Sequence, residues 1–167
     1  GDGSSVVLWT GYRGEASLWN MDANSNKTGN ADFGPFDGWS PVDVEIGSDG
    51  NRKLLWVNDS GKASIWNIAS NNTYTAVENG PFSGWTPFKL AARTDGKLML
   101  AFRNDNNNLS LWRCNNAGTR EDSRDYTAPT DCVLEDISAY GANQIRVLWR
   151  RTDNAAIVWT INSDWTT

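Results

Sequence analysis

Residues 54–66 read LLWVNDSGKASIW. Two short apolar runs, each ending in tryptophan, flank the polar segment Asn58-Asp59-Ser60-Gly61. Short β-prone runs around such a turn predict a β-hairpin. Three further copies are VLWTGYRGEASLW at 7–19, LAFRNDNNNLSLW at 100–112 and VLWRRTDNAAIVW at 147–159. The copies begin 47, 46 and 47 residues apart, so the chain is a tandem repeat.

A second pattern lies between the hairpins and keeps the same period. It reads GPFDGWSP at 34–41 and GPFSGWTP at 80–87, and it is eroded to APTDC at 128–132. Each copy leads into a short strand-like stretch, and the first two of these stretches end at Asp49-Gly50 and Asp95-Gly96. Asp-Gly is a strong hairpin-turn signal. One unit therefore holds about four short strands, and the sequence predicts an all-β protein.

Two all-β architectures fit units of this size. One is a β-trefoil with pseudo-threefold 47-residue repeats, and the other is a small four-bladed β-propeller. We expect the trefoil, because a propeller that lacks strands in its closing blade would expose unpaired edges. We expect a single domain over 1–167, with units at about 5–50, 51–96 and 97–142 and an extra hairpin at 143–167.

The overall composition excludes several functions. The net charge is −5 with no basic stripe, so nucleic acid is a poor partner. Apolar runs are too short to span a membrane, so no membrane partner is expected. The chain has no histidine, the commonest general acid/base and metal ligand, and we expect no cofactor and no required metal. Cys114 and Cys132 lack zinc-site spacing, and we expect a disulfide between them, which would suit an exported protein.

Ten tryptophans in 167 residues form the main candidate set for binding. Those that end the hairpin runs lie in β-prone segments, and we expect Trp19, Trp66, Trp112 and Trp159 to be core residues. Trp39 and Trp85 lie between glycine and Ser/Thr-Pro in the connectors, where loops carry function. These two are the main candidates for stacking on a ligand. The remaining candidates, should the connectors be structural, are Trp9, Trp56 and Trp149.

The alternation of the Leu-Trp hairpins with Gly-Pro-Phe-x-Gly-Trp-x-Pro connectors resembles carbohydrate-binding module family 92, a group of bacterial repeat modules attached to secreted glycan-active enzymes. The resemblance implies a β-trefoil with up to three similar sugar sites, each using a tryptophan and an acid on β-glucan-type ligands. It pairs Trp39 with Asp32, and Trp85 with Glu78. The third unit departs from the pattern, since Cys132 stands near the expected tryptophan and Tyr126 near the expected acid, with Asp125 beside it.

The sequence therefore predicts a non-catalytic carbohydrate-binding module or lectin. Sugar C–H groups stack on aromatic faces, and carboxylates accept strong hydrogen bonds from hydroxyls. A repeated constellation favours multivalent binding of a polysaccharide or oligosaccharide over one asymmetric catalytic cluster, so no enzyme is expected. The alternative is a structural or protein-interaction repeat domain. With a polysaccharide as ligand, we expect a secreted or cell-surface location, attached to a glycan-active enzyme.

Overall fold

The computed structural model describes residues 3–141 and 143–167, and within them it contains β-strands and turns but no helix. In particular, no helix of these residues is long and apolar enough to cross a membrane. The strands form four antiparallel sheets in which each strand pairs with its neighbours in sequence. The all-β prediction is confirmed.

Sheet 1 and sheet 4 have three strands each, while sheet 2 and sheet 3 have four. Sheet 1 contains β1 (Ser5–Thr10), β2 (Ala16–Met21) and β3 (Lys27–Phe33). Sheet 2 contains β4 (Trp39–Ile46), β5 (Arg52–Asn58), β6 (Ala63–Ile68) and β7 (Tyr74–Asn79). Sheet 3 contains β8 (Thr86–Ala92), β9 (Leu98–Arg103), β10 (Leu109–Cys114) and β11 (Arg120–Tyr126). Sheet 4 contains β12 (Cys132–Tyr140), β13 (Gln144–Arg151) and β14 (Ala156–Ile161).

The sheets pack face to face in chain order, with one buried apolar cluster between each consecutive pair. Strand geometry sends neighbouring side chains to opposite faces. Leu54 of β5 accordingly joins the cluster with sheet 1, whereas Leu55 joins the cluster with sheet 3. Both faces of the two middle sheets are buried, which explains the uninterrupted apolar runs at 54–57 in β5 and 98–102 in β9.

The first strand of sheets 2, 3 and 4 lies innermost, and β4, β8 and β12 contact one another in turn. Each of these strands carries a β-bulge at the same place, before Asp43, Lys89 and Asp136. The Lys89 ammonium lies 3.9 Å from an Asp43 carboxylate oxygen and 3.6 Å from one of Asp136. The three equivalent positions therefore meet in one central cluster of charges.

This arrangement does not show the expected β-trefoil. A trefoil joins hairpins from its three units in one barrel, whereas each sheet here is an open meander of consecutive strands. The topology favours the propeller alternative. The sheets are also offset by one strand from the predicted units: β4 falls in unit 5–50 but pairs with β5, and residues 143–167 share a sheet with β12.

Candidate functional site

The two connectors have the same backbone geometry. Gly34 and Gly38 have positive φ in the first, as do Gly80 and Gly84 in the second, and both Gly-Pro bonds are cis. The Trp39 N–H donates to the Phe36 carbonyl at 3.0 Å. The Trp85 N–H donates in the same way to the Phe82 carbonyl, also at 3.0 Å. These turns place a half-buried tryptophan at the start of each following sheet.

Phenylalanine side chains fix the connectors to the cores below them. Phe36 makes edge-on and tilted contacts with Trp56 and Trp66, with ring centroids 5.3 Å apart in both cases. Phe82 contacts Trp112 with the ring centroids 4.6 Å apart. The loop is therefore held from beneath, while its upper surface remains open.

Cleft 1 is an open depression of about 530 Å³ between sheets 1 and 2. Its walls come from the β1–β2 turn, the first connector and the β5–β6 turn. The lining residues are Tyr12, Arg13, Gly14, Pro35, Phe36, Asp37, Gly38, Trp39, Ser40 and Asp59.

Cleft 2 repeats this construction between sheets 2 and 3, with a volume of about 580 Å³. Its walls are the β5–β6 turn, the second connector and the β9–β10 turn. The lining residues are Asn58, Asp59, Ser60, Gly61, Pro81, Phe82, Ser83, Gly84, Trp85, Thr86 and Asp105. Trp39 and Asp59 of cleft 1 thus correspond, one repeat on, to Trp85 and Asp105 of cleft 2.

Cleft 3 lies between sheets 3 and 4 at the equivalent place and measures about 500 Å³. It is formed by residues 106–108, 127–133 and Thr152. Cys132 stands where Trp39 and Trp85 stand in the other clefts, and it is buried. Thr152 takes the place of Asp59 and Asp105. The third cleft therefore keeps the shape but lacks the indole, and the carboxylate among its lining residues is that of Asp131 in the connector rather than one in a hairpin turn.

Asp59 is tied to the first connector through its backbone. Its N–H donates to the Gly38 carbonyl at 2.9 Å. A side chain at Gly38 would come within 3.6 Å of the Asp59 carboxylate, so the carboxylate lies close beside the connector. Clefts 1 and 2 each combine an indole face, a carboxylate and the hydroxyl of Ser40 or Thr86. This set offers an apolar platform and strong hydrogen-bond acceptors within one shallow site.

The acids that the family resemblance assigned to the site lie elsewhere. Asp32 is on β3 opposite Ser17, Glu78 on β7 opposite Ser64, and Asp125 on β11 opposite Ser110. Asp32 accepts hydrogen bonds from Ser17 Oγ at 2.5 Å and from Asn30 at 2.9 Å. Glu78 accepts one from Lys62 Nζ at 2.8 Å. None of the three acids lines a cleft with Trp39, Trp85 or Cys132.

Of the three alternative candidates for ligand contact, Trp9, Trp56 and Trp149, the last two are too deeply buried to contact a ligand. Trp56 and Trp149 are at most 1 % exposed inside the clusters between sheets, so neither ring face is open to a sugar. Trp9, at the equivalent position of sheet 1, is 53 % exposed. It packs against Trp19 with ring centroids 5.2 Å apart, away from the three clefts.

The predicted Cys114–Cys132 disulfide is not formed, and both cysteines are free and buried. Cys114 packs between sheets 2 and 3, whereas Cys132 packs between sheets 3 and 4. Burial raises the pKa of the Cys114 thiol to about 12, which disfavours the reactive thiolate. Both cysteines act as small apolar core residues.

Sequence reasoning missed the cleft residues in the hairpin turns, above all Asp59 and Asp105. The signal was present, because these two aspartates occupy the same position in successive copies of the repeat. In the part of the chain that the structure describes, no group of three or more histidine, cysteine, aspartate or glutamate side chains is placed to hold a metal ion.

No protein-family model matches the chain, and no curated protein matches it. The resemblance to carbohydrate-binding module family 92 is therefore not confirmed. Solved structures with a similar fold include the SapL1 lectin in complex with alpha methyl fucoside, with TM-score 0.64 and 14 % identity over 99 % of this chain and 59 % of that one. A lectin from Aleuria aurantia in complex with Fucalpha1-6GlcNAc has TM-score 0.57 and 14 % identity, over 96 % of this chain and 58 % of that one.

A third similar structure is the β-propeller domain of Nup133 from Vanderwaltozyma polyspora. It has TM-score 0.53 and 14 % identity, over 96 % of this chain and 53 % of that one. The chain thus spans little more than half the length of these proteins. At such identities the likeness concerns the fold, and it agrees with the propeller-like row of four meander sheets.

Proposed function

We propose that the chain is a non-catalytic lectin that binds carbohydrate in clefts 1 and 2. The observation that carries the proposal is the repetition of one construction at consecutive sheet boundaries. In both places the indole and hydroxyl of a connector fixed by glycine, proline and a packed phenylalanine meet the carboxylate of a hairpin turn. The fold likeness to two lectins supports the same conclusion.

A sugar ring would lie against the exposed part of Trp39 or Trp85. Its C–H face would contact the indole, while its hydroxyls donate to Asp59 in cleft 1 or to Asp105 in cleft 2. The connectors hold these groups in place before the ligand arrives, so little ordering of the loop opposes binding. Each cleft is open, and we therefore expect weak binding at each site and stronger retention of a polymer that reaches both.

The first ligands to test are fucosides, because the two similar lectins were solved with fucose-containing ligands. The β-glucan ligand predicted by the family resemblance has no support in these comparisons, and it serves as the second arm of the test. An exported or cell-surface location remains a prediction that follows from this class of ligand.

The test is binding of the wild-type protein and three variants, Trp39→Ala, Trp85→Ala and the double variant, to a glycan array and to polysaccharide gels. We expect each single variant to lose one site and the double variant to lose most retention. Tyr140→Ala is a matched control, since Tyr140 is an exposed aromatic residue on β12 outside the clefts. If the double variant binds every retained glycan like the wild type, the connectors are not the site.

A protein-interaction role is the second candidate, because the clefts also present exposed aromatic surface. It would be favoured if no glycan on the array bound while a protein partner bound through the connectors. Release of reducing sugar from a bound glycan would contradict the non-catalytic part of the proposal.

A further inference from the structure

A single hairpin turn separates cleft 1 from cleft 2. The β5–β6 turn, residues 58–61, supplies a wall to cleft 1 on one side and a wall to cleft 2 on the other. Among the residues that line the three clefts, only Asp59 belongs to two of them. The two candidate sugar sites therefore adjoin each other and share one residue.

The turn lies against both connectors. On the side of cleft 1, the Asp59 N–H donates to the Gly38 carbonyl at 2.9 Å. On the side of cleft 2, a side chain added at Gly61 would come within 3.7 Å of the Trp85 carbonyl oxygen. Asp59 and Gly61 are separated by one residue in the sequence, so the two connectors lie on opposite sides of a narrow turn.

The turn is a low barrier between the clefts. Asp59 and Ser60 are exposed, and their side chains are short. The Asn58 side chain is held within the turn, because its amide oxygen accepts from the N–H groups of Ser60 at 3.0 Å and Lys62 at 2.8 Å. Within residues 58–61, all of which the structure describes, no aromatic or long side chain stands between the two clefts.

We propose that clefts 1 and 2 are neighbouring subsites for one linear oligosaccharide, which crosses the β5–β6 turn and contacts Asp59 from both sides. This inference rests on the proposed carbohydrate function and defines the ligand as an extended chain of several sugar units. Sheets that pack face to face lie about 10 Å apart, a distance that a few linked sugar units span.

Each part of the turn has a role in this binding mode. Sugar units in the two clefts stack on Trp39 and Trp85, and the units between them pass over Asp59 and Ser60. A carboxylate has two oxygens and accepts several hydrogen bonds, so Asp59 serves hydroxyls on both sides of the turn. Cleft 3 lacks the indole, and the stacking surfaces of the site therefore end at Trp85.

Calorimetric titration with ligands of increasing length tests the bridging. The probes are α-methyl fucoside as a single sugar, and linear oligosaccharides of two to eight units from β-1,3-glucan, xylan and fucan. We expect two of the shortest bound ligands per chain but only one long oligosaccharide. In the series that binds, affinity should rise at least about tenfold once the ligand reaches both clefts.

The possible failures of this test are distinguishable. Two short ligands per chain with no gain for longer ones would overturn the bridging and leave the proposed function intact. Absence of binding by all of these probes would also overturn the inference, and the proposed function falls with it if every array glycan fails as well.

A bulky side chain at the crossing point tests the route of the ligand. Ser60→Phe should abolish the gain in affinity with length, because the ring obstructs the turn between the clefts. Asn106→Phe is the matched control, since Asn106 holds the same position in the β9–β10 turn and lies outside clefts 1 and 2. A length dependence that survives Ser60→Phe in a folded protein, as judged by circular dichroism, would contradict this route.

The shared role of Asp59 has a separate test with the shortest probe that binds. Asp59→Asn keeps the size of the side chain, and it should weaken the binding reported by the indole N–H signals of both Trp39 and Trp85. Asp105→Asn is the matched control: Asp105 lines cleft 2 but not cleft 1, so only the response of Trp85 should weaken. If Asp59→Asn affects Trp39 alone, Asp59 serves one cleft and the shared site is overturned.

Discussion

A single glycine controls how closely sheet 1 approaches the first connector. Gly14 has a φ of +87°, and a side chain there would lie 2.6 Å from the Trp39 carbonyl oxygen. Such a contact with backbone is too short, so the turn or the connector would have to move. The geometry of cleft 1 therefore depends on the absence of a side chain at this position.

Gly14→Ala should destabilise the protein by about 2–4 kcal/mol, because left-handed strain adds to the collision with Trp39. It should also weaken binding at cleft 1 and spare cleft 2. Gly50→Ala is the matched control: its φ is +75°, and nothing lies within 4 Å of the added methyl group. Its cost should be only about 1–2 kcal/mol of backbone strain. If denaturant unfolding shows the same loss of unfolding free energy for both variants, the predicted collision between residue 14 and the Trp39 carbonyl does not occur.

In sheets 1, 2 and 3 the second tryptophan of the hairpin is covered by a side chain of the outer strand. Tyr74 stacks on Trp66 with ring centroids 3.8 Å apart, and the equivalent Arg120 lies 4.2 Å from the Trp112 ring. Lys27 lies 4.1 Å from the ring of Trp19. Trp66 and Trp112 are buried as predicted, whereas Trp19 and Trp159 are only half-buried. Trp19 lies outside the three apolar clusters, and Trp159 packs against sheet 3 but lies on β14, the edge strand of a sheet with no fourth strand.

Trp66→Ala should lower the free energy of unfolding by about 3–5 kcal/mol, because it leaves a cavity in the apolar cluster between sheets 1 and 2. Trp39→Ala should cost clearly less, since Trp39 is half exposed to the cleft and lies at the start of β4. Chemical unfolding of both variants measures the difference. An unchanged unfolding midpoint for Trp66→Ala would show that this ring is not part of the core.

At the scale of elements, the hairpins and connectors were predictable because their signals are local. Turn residues and the repeat period identify β5–β6 and its copies without knowledge of what they pack against. The assignment of β4 to the following sheet was not predicted. The Asp49-Gly50 turn does signal a hairpin between β4 and β5, but the predicted unit boundary at residue 50 separated these two strands.

The candidate site was partly predictable for the same reason. Trp39 and Trp85 stand out within their loops, and the structure places both in clefts. Asp32 and Glu78 are close to these loops in sequence, yet strand pairing directs them to Ser17 and Ser64. Asp59 is 20 residues from Trp39 in sequence and reaches its cleft only because β4 and β5 pair side by side.

At the scale of the whole molecule, the central charge cluster makes stability depend on pH. Burial, aided by the charges of Asp43 and Asp136, raises the pKa of Glu45 to about 7 from an ordinary value of 4.5, while Lys89 opposes the rise. The folded state thus binds this proton more tightly than the unfolded chain does. The resulting stabilisation is complete below pH 4.5 and is lost as the pH rises through about 7.

Glu45→Gln removes this titration while keeping a neutral side chain of similar size. Relative to the wild type, the variant should gain about 1–2 kcal/mol of stability between pH 4.5 and pH 7.5, a value reduced for the partial exposure of Glu45. Denaturant unfolding of both proteins across this range measures the gain. A difference that stays constant with pH would contradict the assignment of the titration to Glu45.

We propose that clefts 1 and 2 bind carbohydrate through Trp39 and Trp85. The most direct measurement follows the ten indole N–H signals in nitrogen–proton correlation spectra during titration with the glycan that binds best on the array, starting with α-methyl fucoside. We predict that the signals of Trp39 and Trp85 shift saturably, and that those of the buried Trp56 and Trp149 do not. Saturable shifts confined to other tryptophans, or no shift with any array glycan, would contradict the account.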